Sequence, residues 1–577
     1  MVEVEKLKEF LISSGILKKE AFEEALKKAK EKGMYVGDIL VMEKILSEEE
    51  LKKIEAYILG IPFINLEEEI VDPEILRIIP ESIARSHNIV AFKKTGNQLE
   101  VAMLDPSDLK TIDFLKKTTH LKILPRLTTP NSIKNLLRQY HKTLEAEFSE
   151  IVKKESEKII SKKEEKIVKE DLKKIAEELP TIRIVDSLIK HAILQRASDI
   201  HIEPREKEIM VRYRIDGILR NIMRLPKGIG PAIVARIKVL SNLRLDEHRL
   251  PQDGRFKVES EDWRYSIRVS VLPVTDGEKV VMRLLPESAK AFTLEELGLW
   301  GESLERVEEA LRKPVGMILV CGPTGCGKTT TLYSMIQILN NPGVNISTIE
   351  DPVEYKIPGV NQTQVNPKIG LTFAEGLRAL VRQDPDIIVV GEIRDFETAS
   401  LATNAALTGH LVLSTLHTNS AAGAIPRLID MKVEPFLLAS TLNCIIAQRL
   451  VRRLTEEKEQ YFLKKPQLEN LKKYVDLERV LSILKEEKIV KKEDDFEKIP
   501  FWRPKKDAEE PYKGRIGIFE VLPITQTIKE MITKRENADK IQEQAQKEGM
   551  ILMVEDGIIK AVRSITSIEE VLRVIIE

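Results

Sequence analysis

The sequence predicts an α/β protein of several domains. Its 577 residues correspond to three or four domains at roughly 150 residues each. From about Pro314 onward, short apolar runs typical of buried parallel strands alternate with helical periodicity, as in α/β domains. Two segments rich in Lys and Glu interrupt this pattern, a linker at 143–179 and an insert at about 455–511.

The composition excludes several classes of protein. The 91 Lys and Arg nearly balance the 92 Asp and Glu, so the chain does not coat nucleic acid by bulk electrostatics. A hydrophobic content of 42% excludes global disorder. No apolar run is long enough for a transmembrane helix, and the N-terminus does not read as a secretory signal. We therefore expect a cytoplasmic chain that meets a membrane only through partners.

The N-terminal region predicts two small units. A weak repeat relates 7–22 to 36–51, and each copy predicts a helix, a break and a second helix. Ser47 and Glu50 have the spacing of a capping box on the last of these helices. From 62 to about 138, short apolar runs alternate with turn residues, which predicts a small α/β or α+β domain.

The next region, 180–290, predicts helix and antiparallel sheet. Helical periodicity is followed by strand candidates and by Asp216-Gly217, a dipeptide typical of hairpin turns. Within 265–271 the pattern alternates with period two. Apolar residues therefore face one side and Arg268 faces the other.

A glycine-rich loop at 322–329 matches the pattern G-x-x-x-x-G-K-[ST] between an apolar strand and a helix. Glycines let backbone N–H groups surround an oxyanion, and the helix adds its positive N-terminal end. Lys328 would reach the β- and γ-phosphates of a nucleotide, and the Thr329 hydroxyl would ligate Mg²⁺. The candidate nucleotide-binding residues are Gly322, Pro323, Thr324, Gly325, Cys326, Gly327, Lys328, Thr329 and Thr330.

Carboxylates follow two further strand candidates. Glu350, Asp351 and Glu354 come after one strand, and spacing alone supports equally a water-orienting carboxylate or solvated turn residues. Glu392 comes after the apolar run at 387–390. Its position favours a carboxylate of the magnesium shell over a helix N-cap.

Two histidines lie seven residues apart across an apparent strand. This spacing puts His410 and His417 near opposite ends of the strand, so they are not an adjacent metal pair. Either a sensor of the γ-phosphate or a structural histidine fits the pattern.

Taken together, these motifs resemble the type II secretion and type IV pilus assembly ATPases. The resemblance rests on the phosphate loop and on STIEDPVE, DIIVVGEIRD, TGHLVLSTLHT, SDIHIEP, RLPQDGRF and QRLVRRL. It implies a RecA-like P-loop ATPase domain at 291–577, preceded by a PAS-like α+β domain at 180–290. A small N-terminal α/β domain at 1–142 would dock a partner.

The resemblance also implies an activity and roles for residues. The family forms ring-shaped homohexamers that hydrolyse ATP with Mg²⁺ to extract pilins or pseudopilins from the inner membrane. Glu354 matches the catalytic water-orienting glutamate, and Glu392 matches the acid that acts through magnesium. The histidine box is matched by His410 and His417. The arginines that reach the γ-phosphate at closed interfaces are matched by Arg268 and Arg283.

Partners and cofactors follow from the same resemblance. The implied partner is an inner-membrane platform protein, the cytoplasmic domain of a membrane assembly protein, or both, with peripheral membrane association. Many relatives bind zinc through two CxxC pairs after QRLVRRL. Because 455–512 contains no cysteine, zinc is not expected. The first repeat lacks the arginine and glycine of the cyclic di-GMP motif, which weighs against that ligand and favours a docking role.

A competing hypothesis is a P-loop ring ATPase that translocates nucleic acid. The near-zero net charge and the lack of an obvious basic stripe with interleaved aromatics weigh against it. No nucleic-acid partner is therefore expected.

Overall fold

The computed structural model describes residues 4–139 and 179–576 with short gaps. The residues not described within these ranges are 33–34, 44, 77, 80–82, 85–86, 107, 138, 261–262, 288–291 and 509. The predicted linker at 143–179 lies outside the described residues except for Leu179. Two compact units result, one formed by the described residues up to 191 and the other by 192–576.

The first unit begins with four helices, as the repeat predicts. They span Val4–Ser13, Lys19–Lys32, Val36–Met42 and Glu48–Leu59. The predicted capping box is present. The Ser47 hydroxyl accepts from the Glu50 N–H at 3.2 Å, and the Ser47 N–H donates to Glu50 Oε2 at 2.8 Å. The apolar stripes of the helices meet in one core that includes Leu7, Leu11, Phe22, Ile39 and Leu40.

A three-stranded sheet follows in the same unit, which confirms the predicted α/β character. Its strands are β1 (Ile89–Thr95), β2 (Gln98–Met103) and β3 (Lys122–Leu127), and its helices are Pro73–Leu76 and Leu109–Thr119. β1 pairs with β2 antiparallel, and β2 pairs with β3 parallel across the second helix.

The helix Leu179–Leu194 precedes a six-stranded antiparallel sheet with the helix Gly230–Leu240. The strands are β4 (Asp199–Pro204), β5 (Glu208–Ile215), β6 (Ile218–Pro226), β7 (Gln252–Glu259), β8 (Arg264–Val274) and β9 (Gly277–Pro286), in the order β6-β5-β4-β9-β8-β7. Asp216 and Gly217 have φ of +49° and +86°, the left-handed values that a two-residue hairpin turn needs. Ile267, Val269 and Val271 are buried, as their alternation predicts.

The C-terminal region contains a seven-stranded sheet, called the motor sheet. Its strands are β10 (Gly316–Cys321), β11 (Ile346–Glu350), β12 (Asn361–Gln364), β13 (Ile387–Val390), β14 (Leu411–Leu416), β15 (Leu442–Leu454) and β18 (Tyr512–Pro523), in the order β12-β11-β13-β14-β10-β15-β18. All neighbours are parallel except β15 and β18. Parallel strands end at one edge, so the segments that follow β10, β11, β13 and β14 share that edge.

Helices cover both faces of the motor sheet. Along β10, Met317 and Leu319 enter one apolar core while Ile318 and Val320 enter the other. The helices span Leu294–Leu297, Gly301–Leu311, Lys328–Leu339, Phe373–Leu380, Phe396–Leu407, Ala424–Asp430, Pro435–Thr441, Gln526–Thr533, Ala538–Lys547, Met553–Val562 and Ile568–Ile576. Across the described part of the chain, no helix combines the length and apolarity needed to cross a bilayer.

The insert between β15 and β18 contains both strands and helices. An antiparallel pair, β16 (Lys458–Phe462) and β17 (Pro500–Pro504), encloses the helices Lys465–Leu471 and Leu477–Glu486. Its apolar side chains join the larger core of the motor sheet. These include Leu468, Val480, Leu484, Phe496 and Phe501. Apolar packing therefore stabilises the insert against the rest of this unit.

Candidate nucleotide-binding and catalytic site

The glycine-rich loop connects β10 to the helix Lys328–Leu339, here called the P-loop helix. Gly322, Gly325 and Gly327 have φ of +148°, +80° and +90°, values that other residues rarely adopt. A Cβ on Gly322 would lie 2.5 Å from the Cys326 Sγ and 2.8 Å from the Gln448 carbonyl oxygen. The backbone path therefore requires glycine, and it places the loop N–H groups at the positive end of a 12-residue helix.

Lys328 folds back over the loop. Its Nζ donates to the carbonyl oxygens of Gly322 at 2.9 Å and of Pro323 at 3.0 Å. Burial lowers the pKa of Lys328. Within the described residues, no carboxylate lies within ion-pair distance of this ammonium, so its charge is available to an anion. Thr329 and Thr330 are half-buried in the first turn of the helix, while Pro323, Thr324 and Gly325 are exposed.

Gln448, at the end of the parallel part of β15, is a site residue to which the sequence motifs gave no role. Its side chain is 2% exposed. Nε2 donates to the Cys326 carbonyl at 2.7 Å, and Oε1 accepts from the Thr331 hydroxyl at 2.8 Å. The available signal was its position as the first residue of the QRLVRRL motif, within β15.

The acidic segment after β11 separates two glutamates that spacing alone could not distinguish. Glu350 is 4% exposed and accepts hydrogen bonds from Thr348 at 2.5 Å, from Gln362 at 3.2 Å and from the Tyr333 hydroxyl. Its carboxylate is therefore committed to internal donors. The Tyr333 hydroxyl also accepts from the Glu354 N–H at 3.4 Å, which links the acidic segment to the P-loop helix.

Glu354 is paired with an arginine from the six-stranded sheet. Arg268 Nη2 lies 2.8 Å from Glu354 Oε2 and donates to the Val353 carbonyl at 3.1 Å. The two side chains are 27% and 29% exposed, although the paired oxygen Glu354 Oε2 is itself buried. The structure thus brings together a predicted catalytic glutamate and a predicted γ-phosphate arginine.

Glu392 and His417 meet at the same edge of the motor sheet. Arg394 Nη2 lies 2.5 Å from Glu392 Oε1, and His417 Nε2 lies 3.4 Å from Glu392 Oε2. Partial burial and the charge of Lys328 lower the pKa of His417, which favours the neutral imidazole. Lys328 also couples electrostatically to Glu392, although β14 lies between the strands that these two residues follow.

His410 and Arg283 do not join this group. His410 precedes β14, at the edge opposite the phosphate loop, and its Nδ1 lies 2.9 Å from the Ala405 carbonyl. The six residues of β14 separate it from His417 by about 20 Å at roughly 3.3 Å per residue. Arg283 lies directly opposite Arg268 on β9, but its Nε donates to Asp199 at 3.0 Å and its side chain is 54% exposed.

Oxygen donors for a hard cation are confined to few residues. The Thr329 hydroxyl and the Glu392 carboxylate are the predicted ligands, and both lie at the carboxyl edge of the motor sheet. In the described parts of the chain, no set of three or more His, Cys, Asp or Glu side chains is placed to hold a metal ion.

The fold and the site define a class of protein. A glycine-rich phosphate loop, a buried lysine and acids after adjacent parallel strands are the parts of a RecA-like P-loop ATPase.

Comparisons with known proteins then give the family. A family model described as Type II/IV secretion system protein matches residues 174–573, and one described as MshEN domain matches residues 59–147. The chain is similar to the type IV pilus assembly ATPase PilB of Myxococcus xanthus, with 39% identity over 568 residues that cover 98% of each protein. The chain belongs to the type II/IV secretion system protein family, and it is an ATPase.

The chain is similar to two further proteins. The type II secretion system protein E of Xanthomonas campestris pv. campestris is 39% identical over 552 residues, which cover 94% of this chain and 94% of that protein. A crystal structure of the pilus retraction motor PilT with bound ADP shows 27% identity and a TM-score of 0.46, covering 68% of this chain and 96% of PilT. The family, the fold class and the ATPase activity predicted from the sequence are confirmed.

Proposed function

We propose that the chain is a hexameric, cytoplasmic motor that hydrolyses ATP to extract and polymerise pilins or pseudopilins. This activity drives type IV pilus assembly or type II secretion. The observation that carries the proposal is the shared carboxyl edge of the motor sheet, where Lys328, Glu392 and His417 meet. Relatives named for both processes, alike over nearly the whole chain, support the choice of process.

Nucleotide binding is the work of the phosphate loop. Its backbone N–H groups and the Lys328 ammonium bind the β- and γ-phosphates, because the ammonium is buried and has no carboxylate partner among the described residues. Thr329 and Glu392 would hold Mg²⁺, since hydroxyl and carboxylate oxygens are its preferred protein ligands. When bound, Mg²⁺ neutralises charge on the phosphates.

Glu354 orients and polarises the attacking water. In the structure its carboxylate is paired with Arg268, whose guanidinium lies 2.8 Å from Oε2. A γ-phosphate competes for the same guanidinium. Its arrival therefore transfers Arg268 to the phosphate and frees Glu354 for water. Arg268 then spreads the transition-state charge, an effect of about 10³ to 10⁵ in rate for arginine fingers.

Two other predicted residues have supporting roles in this proposal. The neutral His417 imidazole lies next to Glu392 and acts as a sensor of the γ-phosphate. Arg283 serves the nucleotide of a neighbouring subunit, because its guanidinium is exposed and bound only at Nε to Asp199. His410 takes a structural role at the opposite edge of the sheet.

The N-terminal region docks the motor on the membrane machinery. We assign it an inner-membrane platform protein or the cytoplasmic domain of a membrane assembly protein as partner. The MshEN match covers residues 59–147, whereas the departures from the cyclic di-GMP motif include residues 4–7. Weak or absent cyclic di-GMP binding stays a prediction, and calorimetric titration of the full chain with cyclic di-GMP tests it.

The test of the proposed function separates binding from hydrolysis. We expect Lys328→Ala to lose ATP binding and Glu354→Gln to bind ATP but release less than about a thousandth of the phosphate, since the amide cannot accept a proton. Glu308→Gln is the matched control, because the Glu308 side chain is 41% exposed and pairs with Arg312 on the same surface. Phosphate release and equilibrium ATP binding are measured with Mg²⁺ present. Full turnover by Glu354→Gln would remove the proposed mechanism.

The hexamer and the partner need their own measurements. Mass measurement in solution with ATP checks the ring, and a stable monomer under those conditions would overturn it. Native membranes incubated with Glu354→Gln should yield an integral membrane assembly protein. Stimulation of the ATPase by single-stranded DNA, in place of acidic lipid vesicles, would favour nucleic-acid translocation.

A further inference from the structure

Gln448 holds the phosphate loop from behind. The residue lies on β15, which pairs in parallel with β10, the strand that leads into the loop. The pairing of Cys321 with Ala447 puts Gln448 level with the first loop residue, Gly322. Both ends of its amide are used, since Nε2 donates to Cys326 and Oε1 accepts from Thr331.

We propose that Gln448 is a positioning residue for nucleotide binding, which fixes the direction of the loop peptide that follows Cys326. This inference rests on the proposed ATPase function. In a trans peptide the C=O and N–H groups point in opposite directions. Holding the Cys326 carbonyl on Gln448 therefore turns the Gly327 N–H away from β15.

The second hydrogen bond fixes the start of the P-loop helix. Thr331 lies one turn into that helix, and its hydroxyl donates to Gln448 at 2.8 Å and to the Gly327 carbonyl at 3.3 Å. One buried amide thus joins the loop to the first helical turn. These are the two parts whose N–H groups face a phosphate.

The glycines of the loop are packed against the same residue. A Cβ on Gly327 would lie 3.2 Å from Gln448 Nε2, and one on Gly322 would lie 2.8 Å from the Gln448 carbonyl oxygen. The fit leaves no space for a larger group. Gln448 contacts the loop only from the side of β15, so it acts through the loop and not on the nucleotide.

The experiment measures ATP and ADP affinity and turnover for Gln448→Leu and Gln448→Glu. Both variants lose the donor to Cys326, and a buried carbonyl without its partner weakens the loop. We expect both nucleotides to bind about ten to a hundred times more weakly, with kcat at saturating ATP within about twofold of the parent. Gln383→Leu is the control, because Gln383 is exposed and precedes β13 at the opposite edge.

Thr331 supplies an independent variant pair in case Gln448 variants fail to fold. Thr331→Ser keeps the hydroxyl and should retain affinity, whereas Thr331→Val should weaken it about tenfold. Unchanged affinity in the folded Gln448→Leu and Thr331→Val variants, or a loss confined to kcat, overturns the inference. If the parent chain itself binds neither ATP nor ADP, the proposed function fails instead.

Discussion

The two sides of the candidate site differ in how firmly they are held. On the phosphate-loop side, Gln448 and Lys328 are buried and bonded to loop carbonyls, so the nucleotide cradle is preformed. On the acidic side, the half-exposed Arg268–Glu354 pair connects the motor sheet to another sheet. The two sides therefore differ, because buried hydrogen bonds hold the phosphate loop, whereas the proposed hydrolysis depends on an ion pair between two sheets.

Replacing Arg268 tests the acidic side and should give the largest effect. Arg268→Ala removes both the partner of Glu354 and the charge that stabilises the transition state. We expect kcat to fall about 10³-fold, at the low end for arginine fingers, while ATP affinity changes only a few-fold. Steady-state phosphate release and nucleotide titration separate the two quantities.

The control for this experiment lies directly opposite on the neighbouring strand. Arg255 pairs in register with Arg268 but is exposed on β7. Arg255→Ala removes the same charge from the same sheet and should keep parental kcat. A rise in kcat for Arg268→Ala would mean that the ion pair only restrains Glu354.

Tyr333 connects the two sides, so changing it sharpens the comparison. The side chain is on the P-loop helix, while its hydroxyl bonds to Glu350 and accepts from the Glu354 N–H. Tyr333→Phe removes one of the three side-chain donors to the buried Glu350, which lowers the free energy of unfolding by about 1–3 kcal/mol. We expect kcat to fall about tenfold because Glu354 loses a fixed backbone position, with ATP affinity unchanged.

Tyr355→Phe is matched to this change. Its ring packs edge-on against Tyr333 with centroids 4.6 Å apart, and the substitution keeps that contact. Parental kcat is expected. An equal loss of kcat in both variants would show that ring packing, and not the Tyr333 hydroxyl, supports Glu354.

The sequence predicts the phosphate loop more completely than it predicts the contacts of the acidic segment. The loop is local, so eight consecutive residues and two flanking elements specify it. Glu350 ends β11 and Glu354 lies four residues later, and spacing alone could not distinguish their roles. The difference comes from Tyr333 and Gln362, which belong to other elements and bind Glu350.

Gln448 and His410 also show what local sequence patterns cannot predict. Gln448 was given no role but contacts the phosphate loop, whereas His410 was expected in the site and lies at the opposite edge of the sheet. The hydrogen-bond partners of Gln448 are Thr331 and Cys326, which lie 117 and 122 residues away along the chain. No local sequence pattern predicts contacts at this separation. For His410, the seven-residue spacing already indicated the far end of a strand, and the structure places it there. Strand register, and not motif membership, therefore decides which residues meet at the carboxyl edge.

The last and smallest expected effect is a pH dependence of stability on the phosphate-loop side of the site. Glu520 lies on β18 opposite Ala447, is fully buried, and accepts from the Ala421 N–H at 2.8 Å. Burial raises the pKa of Glu520 to about 7 from its ordinary 4.5. Between pH 4.5 and about pH 7, Glu520 is therefore protonated in the folded chain and ionised in the unfolded chain. The resulting stability is full below pH 4.5 and lost as pH rises through 7, about 3 kcal/mol in all.

Glu520→Gln should remove this dependence, because the amide does not titrate. Thermal unfolding of the parent and the variant, measured from pH 5 to pH 8, should show the melting temperatures shifting by several degrees in favour of the variant as pH rises. Glu308→Gln, which changes an exposed side chain, should follow the parent throughout. A difference between parent and variant that stays constant with pH would mean that Glu520 is ionised in the folded chain. The phosphate-loop side would then contain a buried carboxylate charge at Glu520 that accepts a hydrogen bond from the Ala421 N–H.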